Sequence, residues 1–198
     1  ILFVGTTLPF NEAQALVAMN QAIDNNKSLF GDTKIIYRPH PWRQGKDSIS
    51  QLTLNHVVID EQLREAYSKQ DFSENIQPEI SYYPKLLQNA EFVVGGLTSM
   101  VIEATIFRKP FVALVHEDGT PVSTPKNIYQ NFTHFRDIDR MKNIIFCDSL
   151  DTIDVILEVA HKKKLNNRNE EIDADREHFY SNNNQAYCEN LDSFCQTI

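Results

Sequence analysis

The sequence predicts an α/β fold: a three-layer domain around a six-stranded, mainly parallel sheet. Three observations carry this. Short apolar runs recur at 1–4, 34–37, 56–60, 92–94, 111–115 and 143–147. They are apolar almost throughout instead of alternating with polar residues, as strands covered on both faces read. Segments with helical character lie between most of them, and strand–helix alternation implies parallel strands joined by right-handed crossovers.

Each element has its local reason. Ile1-Leu2-Phe3-Val4 is a strand ending at Gly5, and Thr6-Thr7-Leu8-Pro9-Phe10 is a loop. Asn11 caps a helix, with Gln14 three residues on completing a capping box. Leu16, Val17, Met19 and Ile23 form its apolar face. Asn25-Asn26 and Gly31-Asp32 turn the chain back into the second strand, Lys34 to Tyr37, and His56 to Asp60 is the third. From Glu61 to Ile80 the pattern weakens: 62–68 suits a short helix and 71–78 a loop. Tyr82 to Asn89 is a helix with Leu86 and Leu87 facing inward. The fourth strand closes on Gly95-Gly96, where glycine permits a tight turn and close backbone approach. A helix capped by Thr98 or Ser99 follows and ends at Arg108-Lys109, because Pro110 cannot continue it. Phe111 to Val115 is the fifth strand, 116–125 a polar loop, and 127–141 irregular or partly helical. After the sixth strand, Asn143 to Cys147, Asp148 or Ser149 caps a helix running through Ile153, Ile156, Leu157 and Ala160 to Lys164. A last helix is expected at 175–195.

These elements suit a Rossmann-like domain over 1–165 with strand order 3-2-1-4-5-6, and a helical extension over 166–198. The chain opens inside a strand without an initiator methionine, so it reads as part of a longer protein with an N-terminal portion missing. The extension is expected to pack on the domain or on that portion.

Composition narrows the function classes. The net charge is -8, whereas a nucleic-acid binder presents a basic face, so nucleic acid is disfavoured as a partner. Cys147, Cys188 and Cys195 show no metal spacing and cannot all pair, which fits a reducing cytosol. No apolar run reaches membrane-spanning length. Lys162-Lys163-Lys164 reads as a solvated helix end; weak attraction to anionic lipid at the inner face of the membrane is the alternative.

In a doubly wound sheet the ligand sits beyond the carboxyl ends of the strands, at the switch point between strands 1 and 4. That rule selects three loops. Gly95-Gly96-Leu97-Thr98-Ser99 joins a strand to a helix start, an arrangement suited to an anion. Glu103, four residues after Ser99, lies on the same helical face, and ribose hydroxyls are its favoured partners ahead of a surface ion pair. In Arg38-Pro39-His40-Pro41 two prolines stiffen a loop carrying a guanidinium and an imidazole, both suited to phosphate. The alternative, a rigid exit turn, is outweighed by the loop's position opposite Thr98-Ser99. Thr6 and Thr7 either donate hydroxyls to a ligand or cap their own turn. Glu117-Asp118-Gly119 is most simply a turn, and a metal role lacks a third ligand at suitable spacing. Gly5 has no partner glycines for a dinucleotide fingerprint, so NAD is disfavoured and no cofactor is expected. Ser99 lies in no G-x-S-x-G elbow, which argues against a serine nucleophile.

Three segments carry a resemblance. Tyr37-Arg38-Pro39-His40-Pro41 is similar to the "HP" motif, and Tyr83 to Ala90, Phe92 to Ala104 and Lys109-Pro110 are similar to the Y-x-x-L-L-x-x-A … S/T-S/T-x-x-x-E-A … K-P block, of GT-B glycosyltransferases. The chain resembles their C-terminal, nucleotide-sugar-binding half. It looks most like the bacterial enzymes building capsule and surface polysaccharide, including sialyltransferase-like and Kdo-transferase-like members. The resemblance implies that His40 contacts the nucleotide phosphate as the catalytic histidine, with Arg38 beside it. It further implies that Thr98 and Ser99 bind phosphate and that Glu103 binds ribose or base. A CMP-, CDP- or UDP-linked donor would be held without a tightly bound metal, and a glycan or lipid-linked acceptor would come through the missing N-terminal domain. Related blocks occur in CDP-glycerol glycerophosphotransferases and in non-hydrolysing UDP-N-acetylglucosamine 2-epimerases; a non-catalytic module with a vestigial cleft is the remaining alternative. Two departures stand out: Arg108 replaces a common glycine before Lys-Pro, and Gly5-Thr6-Thr7 lacks the further glycines of many relatives. An acidic motif of bacterial sialyltransferases is similar to Glu117-Asp118-Gly119, but it belongs in their N-terminal domain, so the match is treated as coincidence.

Overall fold

The computed structural model describes residues 1–8, 10–40, 49, 52–69, 81–120, 123–135, 137–165 and 174–175. Its strands are β1 (Leu2–Val4), β2 (Ile35–Arg38), β3 (Val57–Ile59), β4 (Val93–Gly96), β5 (Phe111–Leu114) and β6 (Ile144–Cys147). They form one sheet in the order β3-β2-β1-β4-β5-β6, all pairs parallel. The expected order is therefore observed, as is the three-layer α/β architecture. β1 is central, with Val4 opposite Arg38 on one side and Gly95 on the other.

Alternate strand residues feed two cores, because side chains point to opposite sheet faces. Phe3, Tyr37, Val94 and Val112 pack under α1 (Glu12–Asn25) and α7 (Ile153–Leu165), against Leu16, Met19, Ile23 and Leu157. Leu2, Val4, Val93, Phe111 and Ala113 pack under α4 (Tyr82–Asn89), α5 (Met100–Ile106) and α6 (Pro125–Asn131), against Leu87, Val101, Ala104 and Ile128. The short helices α2 (Lys27–Phe30) and α3 (Glu61–Lys69) complete the elements. A further turn of 3-10 helix at Leu150–Thr152, capped by Ser149, leads into α7.

Four local expectations are revised. Gly95 and Gly96 end β4 and make no turn of their own; neither has a positive φ. Their role is close approach: a Cβ on Gly95 would lie 2.5 Å from the Val4 carbonyl oxygen, and one on Gly96 2.7 Å from the Phe10 ring. The capping box on α1 is half formed. Gln14 N donates to Asn11 Oδ1 at 3.3 Å, but Asn11 N donates to Asp118 Oδ2 at 2.8 Å, a partner from another loop. The stretch read as irregular or partly helical opens on α6, which starts before residue 127: Thr124 caps it by accepting from Asn127 N, and Pro125 occupies the first turn, where its missing N–H costs nothing. Finally, α5 stops at Ile106 in a Schellman motif: Lys109 N donates to Ala104 O at 2.8 Å and Arg108 N to Thr105 O at 3.0 Å. Arg108 takes the left-handed position, φ 54°, that glycine usually fills.

The lysine run lies at the surface, as read, and each of its ammonium groups also finds a partner. Lys164 pairs with Glu91 at 2.7 Å, Lys162 with Glu158, and Lys163 donates to the Lys142 carbonyl. Beyond residue 165 the described part is a helical pair, Ala174-Asp175, whose buried Asp175 accepts from Asn143 N at 2.6 Å. The remainder of the expected 175–195 helix lies outside the described residues. Among the described residues no helix is long and apolar enough to cross a membrane.

Candidate functional site

The chain reverses its winding between β1 and β4, so the crevice beyond their carboxyl ends is the candidate site. Its floor is the loop after β1. Gly5 N donates to Arg38 O at 2.8 Å, and a Cβ on Gly5 would lie 2.9 Å from His40 N, so the loop after β2 crosses directly against it. Glu12, at the start of α1, is 4% exposed and holds this floor together. It accepts from Thr6 N at 2.8 Å and from the Tyr37 hydroxyl at 2.6 Å. Thr6 is buried and its hydroxyl donates to Leu8 O, so it closes its own turn, while Thr7 is exposed at the crevice.

The loop after β2 is anchored by Arg38. It is 2% exposed, and its Nη1 donates to Asp60 Oδ2 at 2.6 Å. The guanidinium lies 4.1 Å from the Tyr83 ring centre and 5.6 Å from that of Tyr82, a cation–π arrangement strengthened by desolvation. Asp60 also caps the start of α3 through Gln62 N at 2.9 Å and accepts from the Tyr82 hydroxyl at 3.3 Å. Burial and then the Asp60 charge push the Tyr82 phenol above its ordinary pKa. Thus Tyr83, which opens one sequence motif, and the preceding Tyr82 grip the arginine of the other. Arg38 Nε and Nη2 are buried and have no hydrogen-bond partner among the described residues, so the guanidinium is held by Asp60 and the tyrosine rings. Two residues on, partly exposed His40 stands at the loop's described end; Pro41, Trp42 and Arg43 lie outside the described residues.

Across β1, the loop after β4 presents hydroxyls. Ser99 is exposed and makes no capping bond; Thr98 Oγ1 takes that role, accepting from Met100 N at 3.3 Å. With seven residues α5 has little dipole to offer an anion, so this wall acts through side chains. One turn on, the Glu103 carboxylate is half-buried without a hydrogen bond or ion pair to any described residue, and burial raises its pKa above the usual carboxylate value. The three loops singled out from the sequence therefore do meet at one edge of the sheet, although Arg38 and Thr6 turn much of their bonding capacity inward.

Two residues escaped the sequence reading. His116, directly after β5, is 5% exposed, and neither ring nitrogen has a partner among the described residues. Burial lowers its pKa, against the pull of Asp118 and Glu117, so the ring is neutral near pH 7. Asp118 is more than a turn residue. It is buried, and besides Asn11 N it accepts from Thr120 N at 3.0 Å and Thr120 Oγ1 at 2.8 Å. The available signal was position alone: both follow a central strand at its carboxyl end. No group of three or more metal-ligating side chains converges among the described residues. No protein-family model, no curated protein and no solved structure matches the chain.

Proposed function

We propose that this chain is the nucleotide-sugar-binding domain of a GT-B-type glycosyltransferase, acting in synthesis of a bacterial surface glycan. The observation that carries the reading is Glu103: a half-buried carboxylate without a described partner, one turn from the exposed Ser99 hydroxyl, at the switch point of a doubly wound sheet. Such a carboxylate suits a pair of ribose hydroxyls, which donate hydrogen bonds and carry no charge to repel it. Ser99 and Thr98 would donate to phosphate oxygens. His40, protonated, would sit against the phosphate that becomes the leaving group and offset its developing charge. Arg38 would keep the His40 loop in place. The acceptor, a glycan or lipid-linked sugar, and the general base would belong to a partner domain, with the lysine-bearing end of α7 as a weak contact to anionic lipid.

Calorimetric titration of the chain with CMP, CDP, UDP and GDP tests this. One of them binds with Kd in the micromolar to low millimolar range if the reading holds; absence of binding by all four, with the chain folded by circular dichroism, refutes it. CDP preference would move the assignment to a glycerophosphate transferase. His40→Ala and Ser99→Ala are each expected to weaken binding by about 1–3 kcal/mol, the cost of a lost charge-assisted or buried hydrogen bond.

A further inference from the structure

Asn143 is fully buried, an uncommon place for an asparagine unless its polar groups are bonded. It precedes β6, at the amino-terminal edge of the sheet, opposite the crevice. Its carbonyl accepts from Phe111 N at 2.9 Å, which ties it to the start of β5. Its donors reach two further elements: its N–H donates to Asp175 Oδ2 at 2.6 Å, and its side-chain Nδ2 to Thr105 Oγ1 at 2.7 Å. The Thr105 hydroxyl gives its own proton to Val101 O at 2.8 Å, so toward Asn143 it can only accept, and the amide nitrogen must face α5. Asp175, 6% exposed, stands ten residues past the end of α7 at Leu165. The end of α7 already lies beside this point, since Lys163 donates to the Lys142 carbonyl. Four residues from three parts of the chain thus form one line of buried hydrogen bonds, Asp175 to Asn143 to Thr105 to Val101.

We propose that Asp175 is a positioning residue for α5: through Asn143 and Thr105 it clamps the foot of the helix whose start presents Ser99 and, one turn on, Glu103. A helix of seven residues does not hold itself in water, so its place is set by what grips it. Val101 and Ala104 supply the apolar grip from the core, and the line of hydrogen bonds supplies a polar one at the far end. The chain as far as Asp175 then belongs to the scaffold of the crevice. This goes beyond the nucleotide-binding reading and does not depend on what the crevice binds.

The test follows amide exchange by NMR in the isotope-labelled whole chain, together with the Glu103 carboxyl carbon through a pH titration. Asp175→Ala should quicken exchange at the Asn143 N–H about 10-fold or more, the consequence of leaving a buried donor without its acceptor. The Phe107 N–H, which donates to Glu103 O at 3.0 Å, should quicken with it as the foot of α5 loosens. Burial holds the Glu103 carboxyl above its ordinary pKa, so looser packing should bring its titration midpoint down toward that value. Asp175→Asn keeps an oxygen for the same bond and should restore most of all three readings. Thr105→Val cuts the clamp from the α5 side with Asp175 in place; it should also quicken the Asn143 N–H, and it decides the matter if Asp175→Ala does not fold. Unchanged exchange at Asn143 in either folded variant overturns the clamp. Quickened exchange at Asn143 with Phe107 and Glu103 unmoved overturns the positioning role and leaves Asp175 as a local tie.

Discussion

Removing one oxygen atom tests the floor of the crevice. Tyr37 is fully buried, and its hydroxyl donates to Glu12 Oε2 at 2.6 Å. In Tyr37→Phe the ring stays, along with its edge-on contact with Phe3 at 5.6 Å, so the packing contribution is unchanged. The loss is then that of a hydrogen bond to a buried charged acceptor, about 1.5–3 kcal/mol. For a domain of this size 1 kcal/mol corresponds to roughly 2–4 °C, so Tm should fall by about 3–12 °C. Glu12→Gln should cost a similar amount. Its neutral amide cannot accept from both Thr6 N and Tyr37 Oη with the same two atoms, because one of them is now a donor. Urea denaturation of wild type, both single variants and the double variant closes a thermodynamic cycle. Residues in direct contact should couple by at least about 0.5 kcal/mol. Amide exchange at Thr6 should quicken in Glu12→Gln, since its N–H loses a carboxylate acceptor. A Tyr37→Phe variant within 0.5 kcal/mol of wild type (the lower bound for coupled contacts), with additive singles, would refute the claim that this bond ties the first loop to β2.

Three other outcomes are expected. Arg108→Gly should stabilise the chain by about 0.5–1 kcal/mol: a left-handed non-glycine residue costs about 1–2 kcal/mol, and glycine's extra unfolded-state entropy returns part of that; a lower Tm would contradict the Schellman geometry. The Cys147 thiol is fully buried and pushed up to about 11 by burial, so at pH 8 native protein should protect it from a thiol reagent until denaturant is added, as read by peptide mass mapping. His116 has a folded pKa held below its ordinary value by burial. Below about pH 6.5 the unfolded chain therefore binds more protons than the native one, and stability falls as pH drops from 7.5 to 5.5. The difference in unfolding free energy between wild type and His116→Phe isolates this contribution and should shrink over that range; a difference flat in pH would count against a neutral buried ring.

The fold was legible because its determinants are local. Six apolar runs bounded by glycine, proline and polar residues announce buried strands, and the helices between most of them imply parallel crossovers, which suit the 3-2-1-4-5-6 order observed. Helix α6 was read only as part of an irregular or partly helical stretch beginning at 127, although Thr124-Pro125 is a start signal, because its seven residues contribute too short an apolar period to register. The glycine pair shows the limit of local reasoning. Gly95-Gly96 looks like a turn, yet the constraint comes from Val4 and Phe10, which no local pattern connects to it.

The same division runs through the site. Sequence alone placed His40, Thr7, Thr98 and Ser99 on loops at one edge of a parallel sheet, and Glu103 on the helix that follows, because strand direction and the switch-point rule depend only on the order of elements. It could not say which polar groups face the crevice and which are consumed by the protein. That depends on partners far away in the chain: Arg38 on Asp60 and Tyr83, Tyr37 on Glu12, and Asn11 on Asp118, 107 residues apart. Burial turned Arg38 from an expected ligand contact into an anchor. It also turned His116, inconspicuous in sequence, into an unsatisfied donor and acceptor beside a cavity. A polar side chain's role is set by what remains of its hydrogen-bonding capacity after folding, and only the assembled tertiary structure decides that remainder.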